Sequence, residues 1–302
     1  MTADNYPPSQ LQIWLLAARP KTLPAAAAPV VVGSAVAISE HLFRPGPALA
    51  ALLAALLLQI GSNLANDVFD FKKGADTAGR LGPLRVTQAG LLTPHQVMAG
   101  MGVVFGLAAL IGLYLIWIGG WPIVVIGLAA IASAIAYTGG PFPLGYYGLG
   151  DLFVFIFFGL AAVMGTYYVQ AGSVSPLAVW ASLPIGLLVV NILVVNNLRD
   201  LETDRAAGKK TLAVRLGPHG ARAEYLLLLA LAYLIPLLMW LFRLTTAWVL
   251  LAWFSLPAVW RPVRLILTEQ GRSLNQALAG SARLALIYAL LFSVGLVIGS
   301  WR

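Results

Sequence analysis

An all-helical integral membrane bundle of about nine transmembrane helices is the fold class this chain predicts, and three observations predict it. Of its 302 residues, 60% are hydrophobic and only 10% are charged, against roughly 25% charged in a soluble domain. Mean hydropathy is +0.86. The apolar residues fall in runs of about 20, the length that crosses a bilayer core as a helix. Such runs are too long for strands, and they lack the two-residue alternation of a membrane barrel. There is no cysteine, which excludes disulfides and thiolate metal sites.

The runs can be justified in order. The first, about 14–38, carries Pro20, Pro24 and Pro29, so its start is expected to be kinked. The first ten residues are polar, and Arg19 and Lys21 precede the run's apolar body with no small-residue cleavage site after it. No cleavable leader is expected from that pattern. The second run, 47–67, closes on Asn66-Asp67. The third and fourth are 94–117 and 121–138. The fourth stops at Tyr137-Thr138-Gly139-Gly140-Pro141-Phe142-Pro143, a helix stop followed by a loop. The fifth and sixth, 150–171 and 176–198, lead to a second polar segment. The last three are 221–242, 246–266 and 282–300, with Pro236 and Pro257 expected to bend the seventh and eighth.

Basic residues set the orientation. With the N-terminus inside, 16 of the 19 Lys and Arg fall on or near the cytoplasmic side, leaving Arg44, Arg243 and Arg302 outside. This bias is the positive-inside pattern of a multi-pass protein of the cytoplasmic (inner) membrane. The net charge of +8 then reflects topology and anionic lipid headgroups, and no nucleic-acid partner is expected. The chain reads as one membrane domain over 1–302. A weak likeness between 14–138 and 150–266 suggests two four-helix units plus one appended helix. Oligomeric state is left open.

Two short segments hold six of the 11 acidic residues. One is Asn66-Asp67-Val68-Phe69-Asp70-Phe71-Lys72-Lys73-Gly74-Ala75-Asp76. The other is Asn197-Leu198-Arg199-Asp200-Leu201-Glu202-Thr203-Asp204-Arg205. Four helices separate them, so both emerge on one face. Asp67 and Asp70 are spaced i, i+3, and Asp200 and Asp204 i, i+4, so each pair shares a helix face. Like charges at that spacing repel unless a cation joins them. All-oxygen ligands suit Mg²⁺ (or Mn²⁺), which binds through a few carboxylates plus substrate phosphates. Acids at the edge of an apolar bundle, with Lys and Arg beside them, therefore point to a diphosphate carrying a long hydrocarbon. Departure of pyrophosphate would leave an allylic cation for an electron-rich acceptor.

The chain resembles the UbiA superfamily of membrane prenyltransferases, through Asn66-Asp67-x-x-Asp70 and Asp200-x-x-x-Asp204. Within it, the stretch Asn66–Pro94, Tyr137-Thr138-Gly139-Gly140-Pro141, Gly148-Leu149-Gly150-Asp151 and Asn196–Gly217 are similar to the MenA branch. That resemblance implies transfer of a polyprenyl group from its diphosphate to 1,4-dihydroxy-2-naphthoate, with loss of CO₂, giving demethylmenaquinone. The general pattern has a third Asp four residues after the second. Gly74 stands there, and Asp76 follows two residues on, a shift that fits this branch. Acceptors such as 4-hydroxybenzoate or homogentisate remain open, as does a cation-coupled transporter, whose sites usually lie at the bilayer midplane.

Asp67, Asp70, Asp200 and Asp204 are the expected metal ligands, with Asp76 and Asn66 as second choices. Lys72, Lys73, Arg85, Arg199, Lys209 and Lys210 are diphosphate candidates, and Asn197 an amide ligand or hydrogen-bond donor. Arg19 and Lys21 either point into the same site or set topology. Asp151 is the only charge between Arg85 and Arg199. It is the candidate base or acceptor for a ring hydroxyl, with Tyr137 or Tyr146 nearby.

Overall fold

Helix starts follow local chemistry. The computed structural model describes residues 8–74 and 81–301. Ser9 opens α1 (Gln10–Ala18) with a reciprocal cap, its hydroxyl accepting from the Gln12 N–H while Gln12 Oε1 accepts from the Ser9 N–H. Arg19 then turns left-handed, at φ 52°, and Pro20–Thr22 form a single tight turn before α2 (Leu23–Ser39). The kink expected at the head of the first run is this break.

The helices that follow are α3 (Pro45–Lys72), α4 (Pro94–Gly119), α5 (Trp121–Ala136), α6 (Gly150–Val154), α7 (Ala162–Ala171) and α8 (Pro176–Arg199). Then come α9 (Leu201–Ala206), α10 (Leu212–Leu241), α11 (Trp260–Thr268) and α12 (Leu274–Gly299). Seven helical stretches are long and apolar enough to cross a bilayer, and Ala247–Ala258 with α11, bent by 46°, make an eighth. The α5 stretch has only 16 residues, about 24 Å of helix against a core of about 30 Å. The count of long spans among the described residues is thus seven or eight, against about nine expected. Pro257 lies next to the bend of the eighth span, as expected. In α10 the break falls at Gly217 (φ 72°), while Pro236 stays within helical backbone.

Four helices, α2, α8, α10 and α12, form the core, around Val32, Val36, Leu188, Tyr225, Tyr288 and Phe292. In lipid, apolar burial alone does not drive helix association, and small residues and polar links do. Here the Tyr225 and Ser281 hydroxyls lie 2.9 Å apart, and the Tyr288 hydroxyl donates to the Ala232 carbonyl at 2.8 Å. Gly159, in the widened turn Phe155–Ala161 between α6 and α7, meets Gly186 of α8. A Cβ added to Gly159 would come within 2.7 Å of the Gly186 Cα, so only glycine permits this crossing. The α4–α5 hairpin packs outside α3 and turns Leu107, Leu110, Leu113 and Trp117 outward.

The start of α2, the ends of α3 and α8 and the start of α12 gather at one end of the bundle. The ends of α2, α10 and α12 lie at the other.

Candidate functional site

The first acidic segment lies on the unbroken last turns of α3. Asp67 and Asp70 are buried, at 1% and 3% exposure. Asp67 Oδ2 accepts from the Val86 N–H and Oδ1 from the Thr87 N–H, both at 3.1 Å, and Arg19 stands 3.8 Å away. Asp67 therefore straps the chain at 85–87 against α3. That strap delivers Arg85, whose Nη2 donates to Asp70 Oδ2 at 2.7 Å. The Tyr146 hydroxyl donates to Asp70 Oδ1 at 2.8 Å. Asn66 Oδ1 accepts from the Thr138 hydroxyl at 3.0 Å.

The second segment is broken rather than straight. α8 ends at Arg199, Asp200 adopts φ −93° and ψ 8°, and α9 begins at Leu201. Asp200 is held by its neighbour: Arg199 Nε donates to Oδ1 at 2.8 Å and Nη2 to Oδ2. Arg199 also donates to Asn275 Oδ1 at 2.9 Å and Asn196 Oδ1 at 2.8 Å. Asp204 turns toward the other segment. The Lys209 ammonium stands 3.2 Å from Asp204 Oδ1 and 3.8 Å from Asp70 Oδ1, and 4.7 Å above the Tyr146 ring. One cation thus joins the two motifs. Lys73 adds a second, 5.0 Å over the same ring, donating to the Gly140 carbonyl at 3.1 Å.

Burial pushes the Asp204 carboxyl above its ordinary value; Lys209 pulls it back and Asp200 pushes it further up. The Lys73 amine is lowered, first by desolvation, with Asp70 opposing and Lys209 adding to the shift.

A loop supplies the third side. Leu144–Tyr147 form one tight turn, closed by Gly148 at φ 76°. A Cβ on Gly148 would lie 2.8 Å from the Lys210 carbonyl. The Lys210 N–H donates to the Tyr146 carbonyl at 2.7 Å, docking this turn on the second segment through main chain. The Tyr137 hydroxyl lies against Gly150, where an added Cβ would approach it to 2.7 Å. Burial raises this phenol's pKa, and the charges of Asp151, Asp204 and Asp70 raise it further. Tyr137 is therefore within electrostatic reach of both the acid cluster and Asp151. Among the described residues no side chain donates to either buried Asp151 carboxylate oxygen, which leaves them able to accept from a ligand.

The structure brings together Asp67, Asp70, Asp204, Asp200, Asn66, Arg19, Arg85, Arg199, Lys73, Lys209, Tyr146 and Tyr137. It sets others apart. Lys72 donates to Met98 Sδ at 2.9 Å, toward α4. Lys21 is exposed and makes no bond among the described residues. Lys210 contributes main chain while its side chain is exposed. Asn197 is 7% exposed and makes no side-chain hydrogen bond among the described residues. Asp76 lies outside the described residues. Among the described residues no three acidic or imidazole groups converge as a preformed metal cage, because cations and N–H groups stand between the acids. The donor set nonetheless fits Mg²⁺: Asp70 and Asp204 are oxygen ligands already arranged around a positive charge.

Sequence reasoning overlooked Glu224, close enough to Asp151 for their charges to interact. An acid inside the apolar run 221–242 was its visible signal. It also overlooked Asn275, which ties Arg199 to the Leu81 carbonyl.

The model of the UbiA prenyltransferase family matches residues 26–287. The chain is 38% identical to a 1,4-dihydroxy-2-naphthoate octaprenyltransferase of Escherichia coli (strain K12), over 97% of each chain. It is 40% identical to the protein of the same name from Mycobacterium tuberculosis, over 95% of this chain and 97% of that one. Its fold matches a UbiA homolog from Aeropyrum pernix K1 with a TM-score of 0.69 at 17% identity, over 91% of this chain and 97% of that one. It matches a UbiA homolog from Archaeoglobus fulgidus, bound to GPP and Mg²⁺, with a TM-score of 0.68 at 15% identity, over 95% and 99%. With its acid motifs, its helical fold and a family match spanning most of its length, the chain belongs to the UbiA prenyltransferase family.

Proposed function

We propose that this protein transfers a polyprenyl group from polyprenyl diphosphate to 1,4-dihydroxy-2-naphthoate with loss of CO₂, giving demethylmenaquinone and diphosphate. The observation that carries this reading is the Lys209 ammonium between Asp70 and Asp204, which makes the two acidic segments one charged site at the end of an apolar bundle. Full-length relatives named for that reaction supply the acceptor.

Asp70, Asp204 and Asp200 would hold Mg²⁺, with Asp67 as the strap behind them. When bound, the metal supplies charge neutralisation for the departing diphosphate. A UbiA homolog bound to GPP and Mg²⁺ supports that need. Lys209, Lys73 and Arg85 bind and orient the phosphate oxygens, with Arg199 holding Asp200 in place behind them. The bond between the allylic carbon and the diphosphate oxygen breaks, and its electron pair leaves with diphosphate. The ring carbon bearing the carboxylate forms the new C–C bond, and its bond to that carboxylate breaks to release CO₂ and restore the ring. Asp151 accepts the hydrogen bond or proton of a ring hydroxyl, which raises ring nucleophilicity. Tyr137 and Tyr146 wall the space between acceptor and diphosphate and keep water out. The prenyl tail extends among the helices or into lipid.

The site faces the cytoplasm in an inner-membrane protein of nine spans, with α5 as the short one. The positive-inside bias supports that orientation.

The test is product formation by purified protein with a prenyl diphosphate and each of three acceptors. Product from dihydroxynaphthoate is expected with Mg²⁺, lost in EDTA and restored by Mg²⁺. Product only from 4-hydroxybenzoate or homogentisate, or turnover in metal-free buffer, would sink the proposal.

A further inference from the structure

The end of the bundle opposite the acid-lined site carries a polar cavity. Its volume is about 630 Å³, within the roughly 300–1,000 Å³ of small-ligand sites. It opens where three helices stop: Glu40 follows α2, Arg243 lies just beyond α10 and Ser300 follows α12. Leu177, Trp240 and Leu296 give it an apolar wall.

Opposite charges line this cavity without meeting. The Glu40 carboxylate accepts from the Tyr167 hydroxyl of α7, not from Arg243. Among the described residues the Arg243 side chain has neither ion pair nor hydrogen bond. Its backbone is nonetheless fixed. Arg243 sits at φ 59°, a left-handed conformation uncommon for a residue with a Cβ. Its N–H donates to the Trp240 carbonyl, and the Leu244 N–H to the Met239 carbonyl, both at 2.9 Å. The Thr246 hydroxyl, also on the cavity wall, is buried without a partner among the described residues. A buried hydroxyl and a guanidinium held apart from the nearest carboxylate call for an acceptor from outside.

We propose that this cavity binds the headgroup of an aminophospholipid, a zwitterion with one phosphate and one primary ammonium. The phosphate meets Arg243 and the hydroxyls of Thr245 and Thr246. The ammonium donates to Glu40, and the acyl chains lie over Leu177 and Trp240. An anionic headgroup without an ammonium would face Glu40 unpaired. A choline headgroup has no N–H to donate to it. The apolar wall and the position at the bundle end favour a lipid over a water-borne zwitterion.

Lipid retention measured by native mass spectrometry tests this. The full-length protein is exposed to equimolar phosphatidylethanolamine, phosphatidylcholine and phosphatidylglycerol. Phosphatidylethanolamine should be retained about tenfold over the other two, and Arg243→Gln should lower that retention about tenfold. Glu40→Gln should abolish the preference over phosphatidylcholine. Because Glu40 also receives the Tyr167 bond, the exposed Arg243 is the variant that decides if Glu40→Gln fails to fold. Prenyl transfer should be unchanged in Arg243→Gln. Equal retention of the three lipids, or unchanged retention in Arg243→Gln, would overturn the proposal. So would competition by soluble glycerophosphoethanolamine at the same concentration as the lipid.

Discussion

The two acidic segments share a sequence pattern and differ in what holds them. In the first, α3 runs unbroken through Asp67 and Asp70, and both carboxylates are bound by groups distant in sequence: the N–H groups of 86 and 87, Arg85 and Tyr146. In the second, the helix breaks at Asp200, and that acid is bound by the adjacent Arg199. The first segment is thus a strut locked by tertiary contacts. The second is a joint whose near side is self-contained and whose far side, Asp204, reaches across through Lys209. Similar spacings give one wall on a continuous helix and one wall on a broken one around the same charged space.

The comparison breaks first at the acids that face each other. Asp70→Ala and Asp204→Ala should each lower turnover by about 100- to 1,000-fold, the size of losing one main electrostatic contact in a transition state. Turnover with radiolabelled prenyl diphosphate measures this. Near-normal rates in either variant would mean that the two walls do not act on one substrate.

Stability should separate strut from joint. Asp67→Asn places an amide N–H₂ against two backbone donors and should cost about 3 kcal/mol. Asp200→Asn keeps an acceptor for Arg199, which retains Asn196 and Asn275, and should cost about 1 kcal/mol. Unfolding in mixed micelles compares them, and equal losses would erase the distinction.

The smallest effects are shifts in pH dependence. Because Asp204 is raised above the ordinary carboxylate range, a reaction needing its anion should lose rate as pH falls through that raised value. Lys209→Met removes a charge that lowers it, so the acid limb should move to higher pH. Asp200→Asn removes a charge that raises it, so the limb should move to lower pH. Profiles of kcat/KM, which report the free enzyme, taken at limiting Mg²⁺ would show the two shifts. Movement in the same direction would contradict the arrangement.

Much of this was legible in the chain. Apolar runs located the long helices, since a bilayer imposes one length on each. The acid spacings placed Asp67 with Asp70 on one face, and the even number of helices between segments brought both to one end. The strap from Asp67 to Val86 and Thr87 was not legible, because a main-chain donor carries no residue signature. Nor was the break at Asp200, where nothing in Asn197–Arg205 resembles a helix stop such as Gly or Pro. Lys209 was visible as a cation, but its position between Asp70 and Asp204 depends on how α3 and α9 meet. Lys72 and Lys73 look alike as neighbours, yet helix rotation sends one to Met98 and the other over Tyr146.

Lys209 has a further consequence for how the protein comes to exist at all. A cluster of carboxylates at a bilayer edge would ordinarily need a bound ion merely to be tolerated. Here the chain brings its own counter-charge in Lys209, so a metal bound there would serve turnover and would not be needed to hold the acids together. A newly inserted copy would then need no metal to assemble. With diphosphate gone, Lys209 would still stand between Asp70 and Asp204, and no bare anions would be left behind.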